Sequence, residues 1–378
     1  MPEKLKSWKH FFPFLKEKFI QGILLLMAFV EGRRTRALTS VDKVLLFRFG
    51  GIGDMILITP VIKALENNYP NAGVYVVCSD KIKAEFLMRY PNVKEVKAFD
   101  LYSIDTRTIL KGKPRKEFLR MLRYIRRNKF DLLINLHIPA LIDWWAVELI
   151  LILLSGAKIK AGINPLFLGT YSFYHFWVSE ERKANMHYTE LFNFLLKVIG
   201  IEGDIHTSFP LLEEDKTSLQ LLLKNYDIKL TSPLACLHPG GYRLSLESKL
   251  WSVSNFKELA SRLIRYGFKV VVIGNKDEEK LGRAICEGIP CINLAGKLNI
   301  FQAAALIQTS DLFIGNDSGP LHIAVAVGTK AVGICGRPDA EPEYYKYPKD
   351  NIYVIVRHSP ELIGVDEVFS KALELFFK

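Results

Sequence analysis

The sequence lacks the signatures of several common enzyme chemistries. It contains no G-x-x-x-x-G-K-[ST], no H-E-x-x-H and no G-x-S-x-G. P-loop phosphoryl transfer, a zincin metal site and a hydrolase nucleophile elbow therefore have no carrier. No two aspartates stand at i and i+2, which argues against the D-x-D metal site used by many sugar-nucleotide enzymes of another fold. Low-complexity segments and short internal repeats are absent as well.

Cysteine is sparse. Cys78, Cys236, Cys286, Cys291 and Cys335 make an odd total with no C-x-x-C pair. A disulfide framework or a zinc site is disfavoured, and buried reduced thiols in a cytosolic protein are the expectation.

Long apolar runs are also missing. Phe19 to Val30 is nearly all apolar, but it is shorter than the roughly 20 residues that span a bilayer. No small-residue cleavage site follows it, and Arg33-Arg34-Thr35-Arg36 beyond it opposes translocation. Neither a spanning helix nor a signal peptide fits.

What is present is an ordinary globular composition, 49% apolar and 24% charged, over 378 residues. That length suits two domains with full-sized cores better than one. The formal net charge of +11 attracts polyanions, and much of the excess lies in residues 1–36. There, Leu5, Trp8, Phe12, Leu15, Phe19, Ile23, Leu26 and Val30 recur at spacings of three and four, flanked by lysines. Two readings fit this basic stripe: a helix lying in a membrane interface, or one packed on the protein's own core.

Beyond the arm, strand and helix patterns alternate. Lys43 to Phe49, Val74 to Cys78, Val93 to Ala98 and Leu132 to Leu136 read as strands. Thr59 to Asn68, a basic stretch around Phe118 to Arg127, and Leu141 to Leu154 read as helices. After Thr231-Ser232-Pro233 the alternation restarts. Strands are expected at Leu234 to His238, Lys269 to Ile273, Leu312 to Ile314 and Ala331 to Cys335, and helices at Ser254 to Tyr266, Asp277 to Cys286, Ile300 to Thr309 and Pro320 to Val327. Such alternation is that of parallel sheets. The expected plan is α/β: a basic amphipathic arm (1–40), a Rossmann-like domain (41–230), a second Rossmann-like domain (231–358) and a terminal helix (359–378).

Three loops carry candidate chemistry. Arg48-Phe49-Gly50-Gly51-Ile52-Gly53-Asp54 joins a strand to a helix, and its carboxylate would repel a pyrophosphate placed directly on that helix end. Asp54 suits a base or a hydroxyl-holding group; an N-cap is the plainer alternative. His238-Pro239-Gly240-Gly241 is followed by Lys249-Leu250-Trp251. The glycines allow backbone approach to phosphate, and Lys249 offers a point charge, although a solvated lysine and a core Trp251 fit equally. Asn316-Asp317-Ser318-Gly319-Pro320-Leu321-His322 joins a strand end to a helix start. Ser318 and the N–H groups of Gly319 and Leu321 are candidates for holding a phosphate, with Pro320 suited to the first helical turn. Alternatively, Asp317 or Ser318 merely caps the helix and His322 is a hydrogen-bonded interior histidine.

Taken in order, and with Leu154-Ser155-Gly156-Ala157-Lys158 between them, these segments resemble the heptosyltransferase family, glycosyltransferase family nine, from about Val41 to the C-terminus. The resemblance implies the GT-B fold, two Rossmann-like domains facing a central cleft. It implies metal-independent, inverting transfer of a sugar, typically heptose from ADP-heptose, to a lipopolysaccharide core or similar anionic glycolipid, with no cofactor beyond the donor. Asp54 matches the family's general base. Lys249 matches its diphosphate-binding lysine, and Asp317, Ser318, Gly319 and His322 match its donor loop; Gly51, Gly53, His238, Gly240 and Gly241 are grouped with them as donor-side residues. The arm before Val41 departs from the family pattern, and the segment Tyr242 to Ser248 is longer than expected. The expected setting is cytoplasmic, peripheral to the inner face of the cytoplasmic membrane, without nucleic acid. A sugar-nucleotide 2-epimerase and a catalytically silent sugar-nucleotide or membrane-binding protein are the alternatives.

Overall fold

A computed structural model describes residues 40–80, 84–138, 142–168, 172–226, 228–230, 233–241, 250–336 and 346–378. The N-terminal arm and Lys249 lie outside the described residues.

The first six strands are β1 (Lys43–Phe47), β2 (Gly73–Cys78), β3 (Val93–Ala98), β4 (Leu132–Asn135), β5 (Ile159–Asn164) and β6 (Phe176–Ser179). They form one parallel sheet in the order β3-β2-β1-β4-β5-β6. Among their connections run α1 (Ile52–Leu57), α2 (Thr59–Asn68), α3 (Gly112–Asn128) and α4 (Ile142–Leu154), followed by α5 (Tyr188–Val198) and α6 (Glu213–Asn225). The second sheet contains β7 (Leu234–His238), β8 (Lys269–Val272), β9 (Ile292–Asn293), β10 (Leu312–Asn316), β11 (Ala331–Gly336) and β12 (Ile352–Arg357). Its order, β12-β11-β10-β7-β8-β9, repeats the first. With it come α7 (Val253–Arg265), α8 (Glu279–Cys286), α9 (Ile300–Thr309), α10 (Gly319–Val327) and α11 (Val365–Phe377). Both sheets reverse direction of strand addition once, at β1/β4 and at β7/β10, and ligands of such sheets bind outside the strand carboxyl ends at that point.

Central strands are apolar throughout because parallel sheets are covered on both faces. Val44 to Phe47 and Leu234 to His238 are buried along their whole lengths. α3 shows the complementary pattern. Phe118, Met121 and Ile125 are buried, while Arg115, Lys116, Leu119, Arg123, Arg126 and Arg127 are exposed. Between Lys111 and Lys129 nine lysines and arginines face one acid, Glu117.

Two compact units divide the chain. One holds the described residues through Gly50 with Pro60–Lys183 and Thr189–Asp204; the other holds Gly51–Thr59, Ala184–Tyr188 and Ile205–Lys378. α1, which follows β1 directly in sequence, thus belongs to the second unit.

The cysteine expectation is corrected in part. Cys78, Cys236 and Cys335 are buried free thiols, and burial pushes the Cys78 thiol up to about 11. Cys286 and Cys291, however, form a disulfide. Cys286 ends α8, and the turn through Gly288, at a φ of +73°, brings Cys291 back to a Cα–Cα distance of 5.1 Å, within the bridging range. The intervening four residues are no recognised pairing motif, so the spacing gives no warning.

Candidate functional site

At the carboxyl end of the second sheet, the residues following β7 and β10 meet. His238 lies between Ser318 Oγ at 3.0 Å and Glu278 Oε2 at 3.4 Å, and only 3% of it is exposed. It therefore supports the site from within. Glu278 accepts the backbone N–H groups of Gly241 (3.1 Å) and Asn275 (2.8 Å). Burial raises its pKa, but the bond and charge of His238, aided by those N–H groups, hold the carboxyl below the usual range. A β-carbon on Gly240 would stand 1.8 Å from Glu278 Oε1, so glycine there is what admits the carboxylate. Asn316 joins the two loops: its Oδ1 accepts from Trp251 N–H at 3.2 Å, and its Nδ2 donates to the Pro239 carbonyl at 2.7 Å. Trp251 is a core residue, its indole N–H donating to Ile363 O at 2.7 Å.

Ser318 occupies the cap position of α10, with Pro320 in the first turn. Its hydroxyl turns back to Asn316 O at 2.9 Å and makes no capping bond. The Leu321 N–H, one of the two expected to face a phosphate, bonds Ser318 O at 3.1 Å. Asp317 is half-buried at the mouth of the loop.

The start of α1 packs against the start of α10 within the second unit. A β-carbon on Gly319 would lie 2.2 Å from Ile52 Cγ2, and one on Gly53 would lie 2.4 Å from His322 Cδ2. This closeness brings the Asp54 loop and the Asn316 to His322 loop together, although some 260 residues separate them in sequence. Asp54 is the third residue of α1 and half-buried; its Oδ2 accepts the Gly51 N–H at 2.8 Å, one arm of a capping box. The capping role, the plainer of the two expectations for Asp54, is therefore present. Gly50, at a φ of +136°, makes the turn that leads into this helix.

His322 is buried and its Nδ1 lies 2.9 Å from Tyr347 Oη. Tyr347 lies against His187, with ring centroids 4.6 Å apart and planes tilted by 42°. Burial first, and then the charge of His322, lower the His187 pKa to about 3. Burial also raises Tyr347 well above the ordinary phenol range, with Asp317 adding to it. Glu278, Tyr347 and His187 had no motif to announce them. Glu278 sits in Asn275-Lys276-Asp277-Glu278-Glu279, which reads as a solvated helix start, and the other two lie in loops.

The sequence residues Gly51, Gly53, Asp54, His238, Gly240, Gly241, Asp317, Ser318, Gly319 and His322 all fall in or beside this cluster within the second unit. Lys249 lies outside the described residues. Among the described residues, no group of His, Cys, Asp or Glu is arranged to hold a metal ion, and no helix is long and apolar enough to cross a membrane.

A model of glycosyltransferase family 9 (heptosyltransferase) matches residues 118–364. The chain is 27% identical over 308 residues to lipopolysaccharide heptosyltransferase 3 of Escherichia coli, spanning 76% of this chain and 81% of that protein. It is similar to the structure of a family 9 glycosyl transferase from Veillonella parvula, with a TM-score of 0.70 and 20% identity over 89% of this chain and 97% of the other. The structure of E. coli ADP-heptose lipopolysaccharide heptosyltransferase II gives a TM-score of 0.63 at 20% identity, covering 89% and 98%. At these identities the structures speak to the fold, the two-sheet α/β architecture of the GT-B type.

Proposed function

Because this chain belongs to glycosyltransferase family 9, we propose that it moves a heptose from ADP-heptose to a lipopolysaccharide core or similar anionic glycolipid, with inversion and without a metal ion. The observation that carries this reading is the packing of the Asp54 helix start on the donor-loop helix start, through Gly53 against His322 and Ile52 against Gly319. A base and an anion-binding helix end are thereby held in one unit.

In this mechanism the Asp54 carboxylate takes the proton of an acceptor hydroxyl. The hydroxyl oxygen forms a bond to the anomeric carbon from the face opposite the diphosphate. The bond from that carbon to the diphosphate oxygen breaks, and its electron pair leaves with ADP. The α10 start and Lys249 receive the growing negative charge, which is the work a metal ion does elsewhere. Glu278 and Asn316 keep the two donor-side loops in register. The ADP identity of the donor is supported by the named substrate of the E. coli relative.

The reading includes a location, cytoplasmic and peripheral to the inner face of the cytoplasmic membrane. Its support is the basic arm and the basic outer face of α3, since such surfaces are drawn to anionic lipid. The test of the donor is calorimetric titration of the metal-free protein with ADP, UDP and GDP. Selective ADP binding is expected; equal binding of all three, or of none, overturns the ADP-heptose assignment.

A further inference from the structure

Tyr347 lies outside every motif of the sequence, and the transfer mechanism above gives it no part. We propose that it is a positioning residue for that reaction: its phenol hydroxyl fixes one tautomer and one orientation of His322, the ring against which Gly53 is seated and Asp54 is placed. The proposal rests on the transfer reading, because that reading makes Asp54 the base.

The phenol is itself anchored to α10. The Lys349 N–H donates to the Tyr347 carbonyl at 2.8 Å, and Lys349 Nζ donates to Val325 O, in the last turn of α10, at 2.8 Å. Asn351 Nδ2 donates to Thr329 O, just past that end, at 3.0 Å. The segment carrying Tyr347 is thus tied to the same helix whose opening turn carries His322. His187 lies against the phenol ring, and all these residues belong to the second unit together with Gly53 and Asp54.

Tyr347 is buried, and among the described residues His322 Nδ1, 2.9 Å from Oη, is the hydrogen-bond partner of its hydroxyl. Burial keeps the phenol protonated. A buried O–H without an acceptor is costly, so the hydroxyl donates and Nδ1 accepts. The proton of the neutral imidazole then sits on Nε2. The edge formed by Nε2 and Cδ2 is the one turned to α1: a β-carbon on Gly53 would stand 2.7 Å from the first and 2.4 Å from the second. The last torsion of a histidine is broad and roughly two-fold, so a ring without this bond turns more freely. It would then offer Gly53 a different edge, and Asp54 follows Gly53 in the same turn of α1. A shift of about 1 Å in a reacting group is enough to cost much of its rate. Tyr347 therefore acts through His322, as the support that holds a working geometry.

The test compares the full-length wild type with Tyr347→Phe, which keeps the ring and removes one oxygen. Transfer from ADP-heptose to a heptose-deficient lipopolysaccharide core is expected to show a kcat lower by about tenfold, with both KM values and the ADP dissociation constant within about twofold. Gly53→Ala combined with Tyr347→Phe should be no slower than Gly53→Ala alone, since both disturb one contact; losses that multiply overturn the shared route. Two-bond proton–nitrogen NMR spectra, with the His322 signals assigned by their loss in His322→Asn, should show an Nε2–H ring in the wild type and a mixture of tautomers in Tyr347→Phe. Nδ1–H in the wild type, or a tautomer indifferent to Tyr347, overturns the proposal. So does a Tyr347→Phe that unfolds at lower urea but keeps its kcat, which is the behaviour of a residue serving stability alone. A wild type that transfers nothing, while its His322 tautomer depends on Tyr347, removes the transfer reading and keeps Tyr347 as the residue that orients His322.

Discussion

The imidazole of His322 stands where a side chain on Gly53 would have to be, 2.4 Å from the position of its β-carbon. The next residue is Asp54, the proposed base. Gly53→Ala is therefore expected to push α1 off α10. It should cost about 1–3 kcal/mol of stability, measured by urea denaturation, and lower the transfer rate by about 100-fold through misplacement of the base. A variant with unchanged rate would show that this contact does not position Asp54.

Asp54→Ala is expected to abolish transfer, lowering kcat by about 100-fold or more, while leaving ADP affinity nearly intact, because the carboxylate acts on the acceptor. Asp54 also accepts the Gly51 N–H, so Asp54→Asn, which retains an acceptor oxygen, is the sharper variant. Parallel collapse of ADP binding and transfer in both would assign Asp54 to the fold alone.

These residues also mark what the sequence could reveal. The strands and helices around Asp54 and the Asn316 to His322 loop were legible because buried parallel strands are apolar runs ended by glycine. Thr59–Asn68 and Ile300–Thr309 were bounded as observed. β5 was missed because Lys160 and Gly162 break its apolar run, and α5 because no motif drew notice to it. β12, with its run Ile352 to Val356, carries a plain strand signal outside the elements assigned. The membership of α1 in the second unit was illegible, because it depends on contacts with residues some 260 positions away. Glu278 was hidden for the same reason: its partners His238 and Gly241 come from another loop.

His187 predicts a pH dependence. The unfolded chain protonates it near pH 6.5, whereas in the fold its pKa is about 3, through burial and the neighbouring His322. As pH falls below about 6.5, the unfolded state takes up a proton that the folded state refuses, so stability declines toward pH 3. Urea midpoints between pH 7.5 and 4.5 should fall less steeply in His187→Gln. Superimposable slopes would contradict the buried neutral histidine.

Glu278 acts in the same direction over a lower range. Its folded pKa lies below the usual value, so its contribution is present above the unfolded pKa and is lost as pH falls through the folded one. Glu278→Gln should flatten that acid limb and weaken ADP binding by about tenfold, since Gly241 loses a charged acceptor. Unaltered ADP affinity would confine Glu278 to a structural part.

Lys249→Ala should weaken ADP binding by about tenfold if its ammonium meets the diphosphate, read by calorimetry against the wild type. An unchanged dissociation constant would rule out that contact.

The most direct measurement is product analysis after incubating the purified chain, without metal, with ADP-heptose and a heptose-deficient lipopolysaccharide core. Acceptor-dependent ADP release and a core extended by one heptose of inverted anomeric configuration are expected, both lost in Asp54→Asn. ADP-heptose returned intact or epimerised, with no extended core, would contradict it.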